Sequence, residues 1–208
     1  MNVVLRRGGI IAAGDGTRLR AGGYTMPKAL VPVGGVPLIE AAIRNFQAAG
    51  IETLVVIVKS TRSSLESFLE VGARLGAGPA LVSTVDAWCR PADFARFVQA
   101  GVRRLPEGSV LGVTPLVADE KPLWATVDGS GRITRLGEGA GPMVTAGFYL
   151  LSAAARAATP PPGLDRLRDY LGWLAERQPL YAEVIDTVVD VDRPDDVALA
   201  EKIMEGDR

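Results

Sequence analysis

Two glycines, two cations and a scattered set of aspartates carry the chemistry that can be read from this chain. The apolar run Gly8-Gly9-Ile10-Ile11-Ala12-Ala13 ends at Gly14-Asp15-Gly16-Thr17-Arg18-Leu19-Arg20, and Lys28 follows a second flexible segment, Ala21-Gly22-Gly23. Gly14 and Gly16 let backbone amides approach an anion with no Cβ in the way. Before residue 35, Arg6, Arg7, Arg18, Arg20 and Lys28 face only Asp15, so positive charge gathers at this turn. A strand-to-loop turn of this composition suits phosphate. Further along, Asp86 closes the apolar run that starts at Ala80, and Asp190 and Asp192 emerge from the apolar run Thr187-Val188-Val189.

Spacing separates the phosphate loops that compete for this stretch. The ATPase-type loop needs Gly-Lys-Ser/Thr, which does not occur, and the dinucleotide fingerprint fails because its third glycine position is Leu19. What fits is Gly14-Asp15-Gly16-Thr17-Arg18-Leu19, then Pro27-Lys28-Ala29-Leu30-Val31-Pro32-Val33-Gly34-Gly35-Val36-Pro37-Leu38-Ile39. Over residues 8 to 39 the chain resembles the opening of the nucleotidyltransferases that join a nucleoside triphosphate to a sugar 1-phosphate or similar phosphorylated alcohol, the family that includes sugar-nucleotide pyrophosphorylases. The run 184 to 201 resembles that family's Asp-x-Asp-Thr-Pro-Glu-Asp-Leu ending, with Arg193 in place of Thr and Asp195 in place of Glu. Between 60 and 150 the likeness is weak.

The resemblance implies a division of roles. Gly14, Gly16 and Thr17 would cradle phosphates, Arg18 would meet the β- and γ-phosphates, and the backbone at Ala12 and Ala13 would lie near the base. Lys28 would bridge the α-phosphate and the attacking phosphate, and Asp86 with Asp190 would hold Mg²⁺, with Asp192 a further candidate ligand. An isolated Asp is more often a cap or loop acid. The resemblance favours the metal for Asp86, because relatives carry an Asp at the end of the corresponding strand. Glu138 and Gly147 would line the acceptor pocket. Many relatives place Glu-Lys-Pro before the strand that contains Gly147, and here Gly137-Glu138-Gly139-Ala140-Gly141-Pro142 keeps the glutamate but has no lysine. The acceptor phosphate must then look to Lys59, Lys121 or an arginine. Ser63 stands in a hydroxyl-rich run before a helix; capping and nucleotide binding explain it equally well, and the resemblance tips it toward the nucleotide.

The elements that must position these groups follow from periodicity. Residues 8 to 13, 54 to 58, 80 to 88, 109 to 117 and 142 to 151 read as buried strands, and residues 37 to 49, 91 to 104 and 164 to 176 as helices. Residues 122 to 127 and 133 to 136 flank Asp128-Gly129-Ser130-Gly131, a hairpin signal. Asp93 reads as a cap or surface acid, and Asp195 and Asp196 as dipole partners of a terminal helix. Strand, loop, helix, strand is the start of a parallel sheet. The expectation is a Rossmann-like three-layer α/β/α fold with a mostly parallel mixed sheet, one domain over residues 1 to 208. The apolar face Leu167, Tyr170, Leu171, Leu174 is core or, in a homo-oligomer, a subunit contact.

Composition narrows the classes. Lys plus Arg is 23 against 24 Asp plus Glu, so no broad basic surface for nucleic acid is expected. Histidine is absent, which removes the Ser-His-Asp triad and histidine-bound zinc. The single cysteine, Cys89, forms no internal disulfide. No apolar stretch is long enough for a membrane span and Met1 to Arg7 is too short for a secretory signal, so a cytoplasmic enzyme is expected. Molybdopterin nucleotidyltransferases and cytidylyltransferases of small phosphorylated alcohols remain alternatives, as does a sugar-nucleotide-binding regulatory subunit.

Overall fold

The computed structural model describes residues 4–58, 63–116 and 122–206. Among these residues twelve strands are formed: β1 (Arg7–Ile11), β2 (Pro32–Val33), β3 (Val36–Pro37), β4 (Thr53–Ile57), β5 (Ala80–Thr84), β6 (Ala87–Trp88), β7 (Ser109–Thr114), β8 (Trp124–Val127), β9 (Ile133–Leu136), β10 (Met143–Leu151), β11 (Leu180–Val184) and β12 (Val189–Asp190). Seven α-helices accompany them: α1 (Thr17–Ala21), α2 (Leu38–Ala48), α3 (Ser64–Leu75), α4 (Pro91–Arg104), α5 (Ala153–Ala157), α6 (Leu167–Ala175) and α7 (Pro194–Glu205).

The main sheet runs β11-β7-β10-β5-β1-β4, with β8 added beside β10 and β9 beside β8. β4, β1 and β5 are mutually parallel, as are β11 and β7, and β10 alone in the six-strand path runs against its neighbours. The fold is therefore the expected mixed, mostly parallel α/β/α sandwich. Alternation along β10 shows the layering: Phe148 and Leu150 pack into one core cluster with Phe46 of α2 and Phe94 of α4, while Tyr149 and Leu151 pack into the other with Phe68 of α3 and Tyr170 of α6. Strand side chains point to opposite faces in turn, so one apolar strand feeds both cores. Leu167, Tyr170, Leu171 and Leu174 are all buried there, so that face of α6 is core.

Several expectations are corrected. The run 80 to 88 is not one strand: β5 stops at Thr84, and β6 leaves the sheet to pair antiparallel with β12. β12 in turn ends at Asp190, so Asp192 lies beyond the strand. Residues 17 to 21, read as loop, form α1. β11 was not anticipated, nor were the β2–β3 hairpin and α5. Asp93 is no surface acid, being 6% exposed in the first turn of α4 and paired with Arg96. Val117 lies outside the described residues. Among the described residues no helix is long and apolar enough to cross a membrane.

Candidate active site

The site begins where β1 and β5 end side by side. After β1, the Ala12 amide still donates to the Ile57 carbonyl at 2.8 Å, which aligns the chain with β4 before it turns away through Gly14 and Gly16. Gly16 has φ 59°, and a Cβ there would stand 2.9 Å from Lys28 Cβ. An L side chain is strained in that region and would also push Lys28 away, so glycine here permits the close approach of loop and lysine.

Lys28 is not the loop residue its flexible approach suggested. It opens a 3₁₀ turn, Lys28–Leu30, and is 6% exposed. Its Nζ donates to Asp86 Oδ2 at 2.5 Å and also to Asp192 Oδ1. Arg18 Nη1 donates to Asp192 Oδ2 at 2.8 Å from the exposed side. A buried ammonium is costly unless paired, and two carboxylates meet that need. Burial by itself pushes the Lys28 ammonium down, but Asp86 and Asp192 outweigh it and hold the group above the ordinary lysine range. Burial likewise pushes Asp86 up, yet Lys28, with a further hydrogen bond from Thr84, holds it below the usual carboxylate range.

The three acids come from two distant parts of the chain, joined by a two-residue ladder. Asp190 stands opposite Ala87 in the β6–β12 pairing, and the Val191 amide donates to the Asp86 carbonyl at 3.0 Å. A tight turn, with the Asp192 amide on the Asp190 carbonyl at 3.0 Å, then swings Asp192 back toward Lys28. The Asp196 carboxylate fastens this turn by accepting from the Asp192 and Arg193 amides at 2.9 and 2.7 Å. One carboxylate oxygen from each of Asp86, Asp190 and Asp192 lies within 4.8 Å of the others. Hard oxygen donors at this spacing, partly buried, are the set that Mg²⁺ takes.

Beside this cluster opens a cleft of about 490 Å³, lined by Thr84, Asp86, Gly147, Tyr149 and Asp190 among others. Gly147 has φ 74° at the bulge of β10, and a Cβ there would stand 2.7 Å from both Thr84 Oγ1 and Ala87 Cβ. Its glycine is demanded by the protein's own packing as well as by the cleft wall. Burial raises the Tyr149 hydroxyl above its ordinary range; Asp86 and Asp190 act in the same direction and Arg168 opposes them.

Other expected site residues stand apart from the cleft. Glu138 is exposed, and its carbonyl accepts from Arg135. Ser63 caps α3: its Oγ accepts from the Glu66 amide at 3.1 Å, and the Glu66 carboxylate accepts from the Ser63 amide at 2.9 Å. This reciprocal box accounts for the hydroxyl as a cap. It is Ser64 that reaches the cleft wall. Lys59 and Lys121 lie outside the described residues. The cleft also takes in Arg166 and Arg168, which sequence reasoning passed over. Arg166 stands at the N-cap of α6 and Arg168 in its first turn, a pairing that the sequence shows but whose cleft it does not.

Comparison with known proteins places the fold. Residues 8–84 match the MobA-like NTP transferase domain. The UTP–glucose-1-phosphate uridylyltransferase of Escherichia coli (strain K12) is 28% identical over 126 residues, 58% of this chain and 42% of that protein. The 2-C-methyl-D-erythritol 4-phosphate cytidylyltransferase of Nocardia farcinica is 27% identical over 181 residues, 87% of this chain and 57% of that protein. The chain thus spans about half the length of these curated relatives. A UDP-glucose pyrophosphorylase solved with UDP-glucose superposes with a TM-score of 0.80 at 17% identity, covering 99% of this chain and 100% of that one. The inositol-1-phosphate CTP transferase from T. maritima does so with 0.75 at 16% identity, covering 99% of each chain. These relatives and structures are nucleotidyltransferases, and this chain has their fold over nearly its whole length.

Proposed function

We propose that this chain, which carries a MobA-like NTP transferase match over residues 8–84, transfers a nucleotidyl group from a nucleoside triphosphate to a sugar 1-phosphate or similar phosphorylated alcohol. The observation that carries this reading is the buried Lys28 ammonium set between Asp86 and Asp192, beside a cleft whose wall includes Asp86 and Asp190. Such a cluster has no structural necessity; an apolar residue of similar volume would fill the place of Lys28 without desolvating a charge.

In this reading a phosphate oxygen of the acceptor attacks the α-phosphorus in line, the bond from that phosphorus to the β-phosphate oxygen breaks, and pyrophosphate leaves. A phosphomonoester dianion needs no base to attack, so a chain without histidine suffers no loss. The amides around Gly14, Gly16 and Thr17 hold the triphosphate, with the backbone of Ala12 and Ala13 toward the base. Arg18 turns from Asp192 to the β- and γ-phosphates. Lys28 donates to the non-bridging oxygens that gain charge as the α-phosphorus becomes five-coordinate, a stabilisation that grows toward the transition state. Asp86, Asp190 and Asp192 would hold Mg²⁺, which when bound supplies charge neutralisation at the phosphates. The cleft beyond Asp86 receives the acceptor, with Gly147 in its wall.

The test is a pyrophosphate-release screen of four nucleoside triphosphates against a panel of sugar 1-phosphates and phospho-alcohols, with Mg²⁺. One productive pair is expected. Tight binding of a sugar nucleotide with no pyrophosphate from any pair would instead establish the regulatory reading.

A further inference from the structure

We propose that Arg166 and Arg168, at the opening of α6, form the cationic subsite that receives the phosphate of the acceptor, in the absence of a lysine after Glu138. The inference rests on the nucleotidyl-transfer reading for its substrate class and on the cleft itself for its location. Among the described residues that line the cleft, the charged side chains are Asp86, Asp190, Arg166 and Arg168. Asp86 already meets Lys28, and both acids belong to the metal-type donor set. A phosphate entering this cleft would be repelled by the acids, and the two guanidinium groups are the cations on the wall that offset them. The planar guanidinium fork matches phosphate oxygens in pairs, which a lysine does not.

The backbone holds these arginines in place rather than leaving them on a free loop. The Leu167 amide donates to Ser64 Oγ at 3.0 Å and the Leu65 amide to the Asp165 carbonyl at 3.2 Å, which ties the start of α6 to the start of α3. Leu167 and Tyr170 are buried on either side of Arg168, and the Tyr170 ring packs on Phe68 at 5.6 Å. Arg168 lines the same cleft as Tyr149, Asp86 and Asp190. At about 490 Å³ the cleft has room for a phosphorylated sugar or polyol.

The test titrates the full-length protein with inorganic phosphate and with glucose 1-phosphate, glucose serving as the uncharged control, and follows the NTP dissociation constant in parallel. Replacing both arginines, Arg166→Gln with Arg168→Gln, should weaken binding of both phosphate probes by about ten- to a hundredfold. NTP affinity should stay within about twofold of the wild type at an unchanged melting temperature, and the double Arg→Lys variant should recover part of the loss. Both probes are titrated with the triphosphate loop occupied by a non-hydrolysable NTP analogue, so that the binding read belongs to the cleft and not to Arg18 and its loop. If these binding results hold but no acceptor yields pyrophosphate, the phosphate subsite stands and the transfer reading falls. Wild-type protein with no saturable phosphate binding, or a double Gln variant that binds both probes as the wild type does, overturns the subsite whatever the turnover.

Discussion

The Lys28 ammonium and the Asp86 carboxylate meet at 2.5 Å although they stand 58 positions apart in the chain. Each is driven toward its neutral form by burial, and each is kept charged by the other. In the proposed transfer this pair would exchange partners, the carboxylate turning to a metal and the ammonium to phosphate.

Lys28→Met should lower the turnover number by about 10²- to 10³-fold, the usual cost of one donor aimed at developing charge, and raise the NTP Michaelis constant far less. Steady-state kinetics over a range of NTP concentrations separate the two. A larger effect on the Michaelis constant than on turnover would make Lys28 a ground-state binding residue.

The same substitution should tighten divalent metal binding. With the ammonium removed, Asp86, Asp190 and Asp192 lose the cation among them, so Mn²⁺ should bind Lys28→Met more strongly than the wild type and raise its melting temperature more. Asp86→Asn should do the opposite, with weaker Mn²⁺ binding and turnover reduced by orders of magnitude in a folded protein. Full activity of Asp86→Asn in chelator would take the metal out of the mechanism.

Cys89 is 3% exposed, and burial, aided by Asp93, pushes its thiol up to about 12 from an ordinary value of 9.0. Between those values the unfolded thiol is ionised and the folded one is not, so the native state binds more protons and stability falls as pH rises. Denaturant melts of the wild type and Cys89→Ala should therefore differ by a constant amount below about pH 8, with the wild type losing ground above about pH 9. A constant difference up to pH 11 would show a thiol that ionises in the folded protein.

Ser63→Ala removes one side of the Ser63–Glu66 box and should cost about 1 kcal/mol of stability. Glu66→Ala should cost a similar amount, and the double variant less than the sum, because the two hydrogen bonds depend on each other. Strict additivity in denaturant melts would deny the reciprocal box.

What the sequence made legible was local. The strand, turn and Lys28 of residues 8 to 39 are spelled within one stretch, and the apolar strands that feed both cores announce themselves by composition. The meeting of Asp86 with Asp190 was legible only through resemblance, since it depends on a ladder of two residues on each side, too short to leave a pattern. The role of Lys28 was legible through resemblance but its burial was not, because that burial is set by carboxylates 58 and 164 positions away. β11 escaped because Leu180–Val184 alternates weakly and follows a proline; only its parallel pairing with β7 makes it a strand. Arg166 and Arg168 escaped because their meaning lies in the cleft they face.

The most direct measurement of the central claim follows the label from an α-³²P nucleoside triphosphate in the presence of acceptor, together with the configuration of the product formed from the α-phosphorothioate. In-line attack at the site of Lys28 and Asp86 predicts that the α-phosphorus passes to the acceptor, that one unlabelled pyrophosphate appears for each transfer, and that the configuration at phosphorus inverts. Lys28→Met should suppress label transfer and pyrophosphate release together. Label left in free nucleotide, or retention of configuration, would contradict direct transfer between the two substrates at this site.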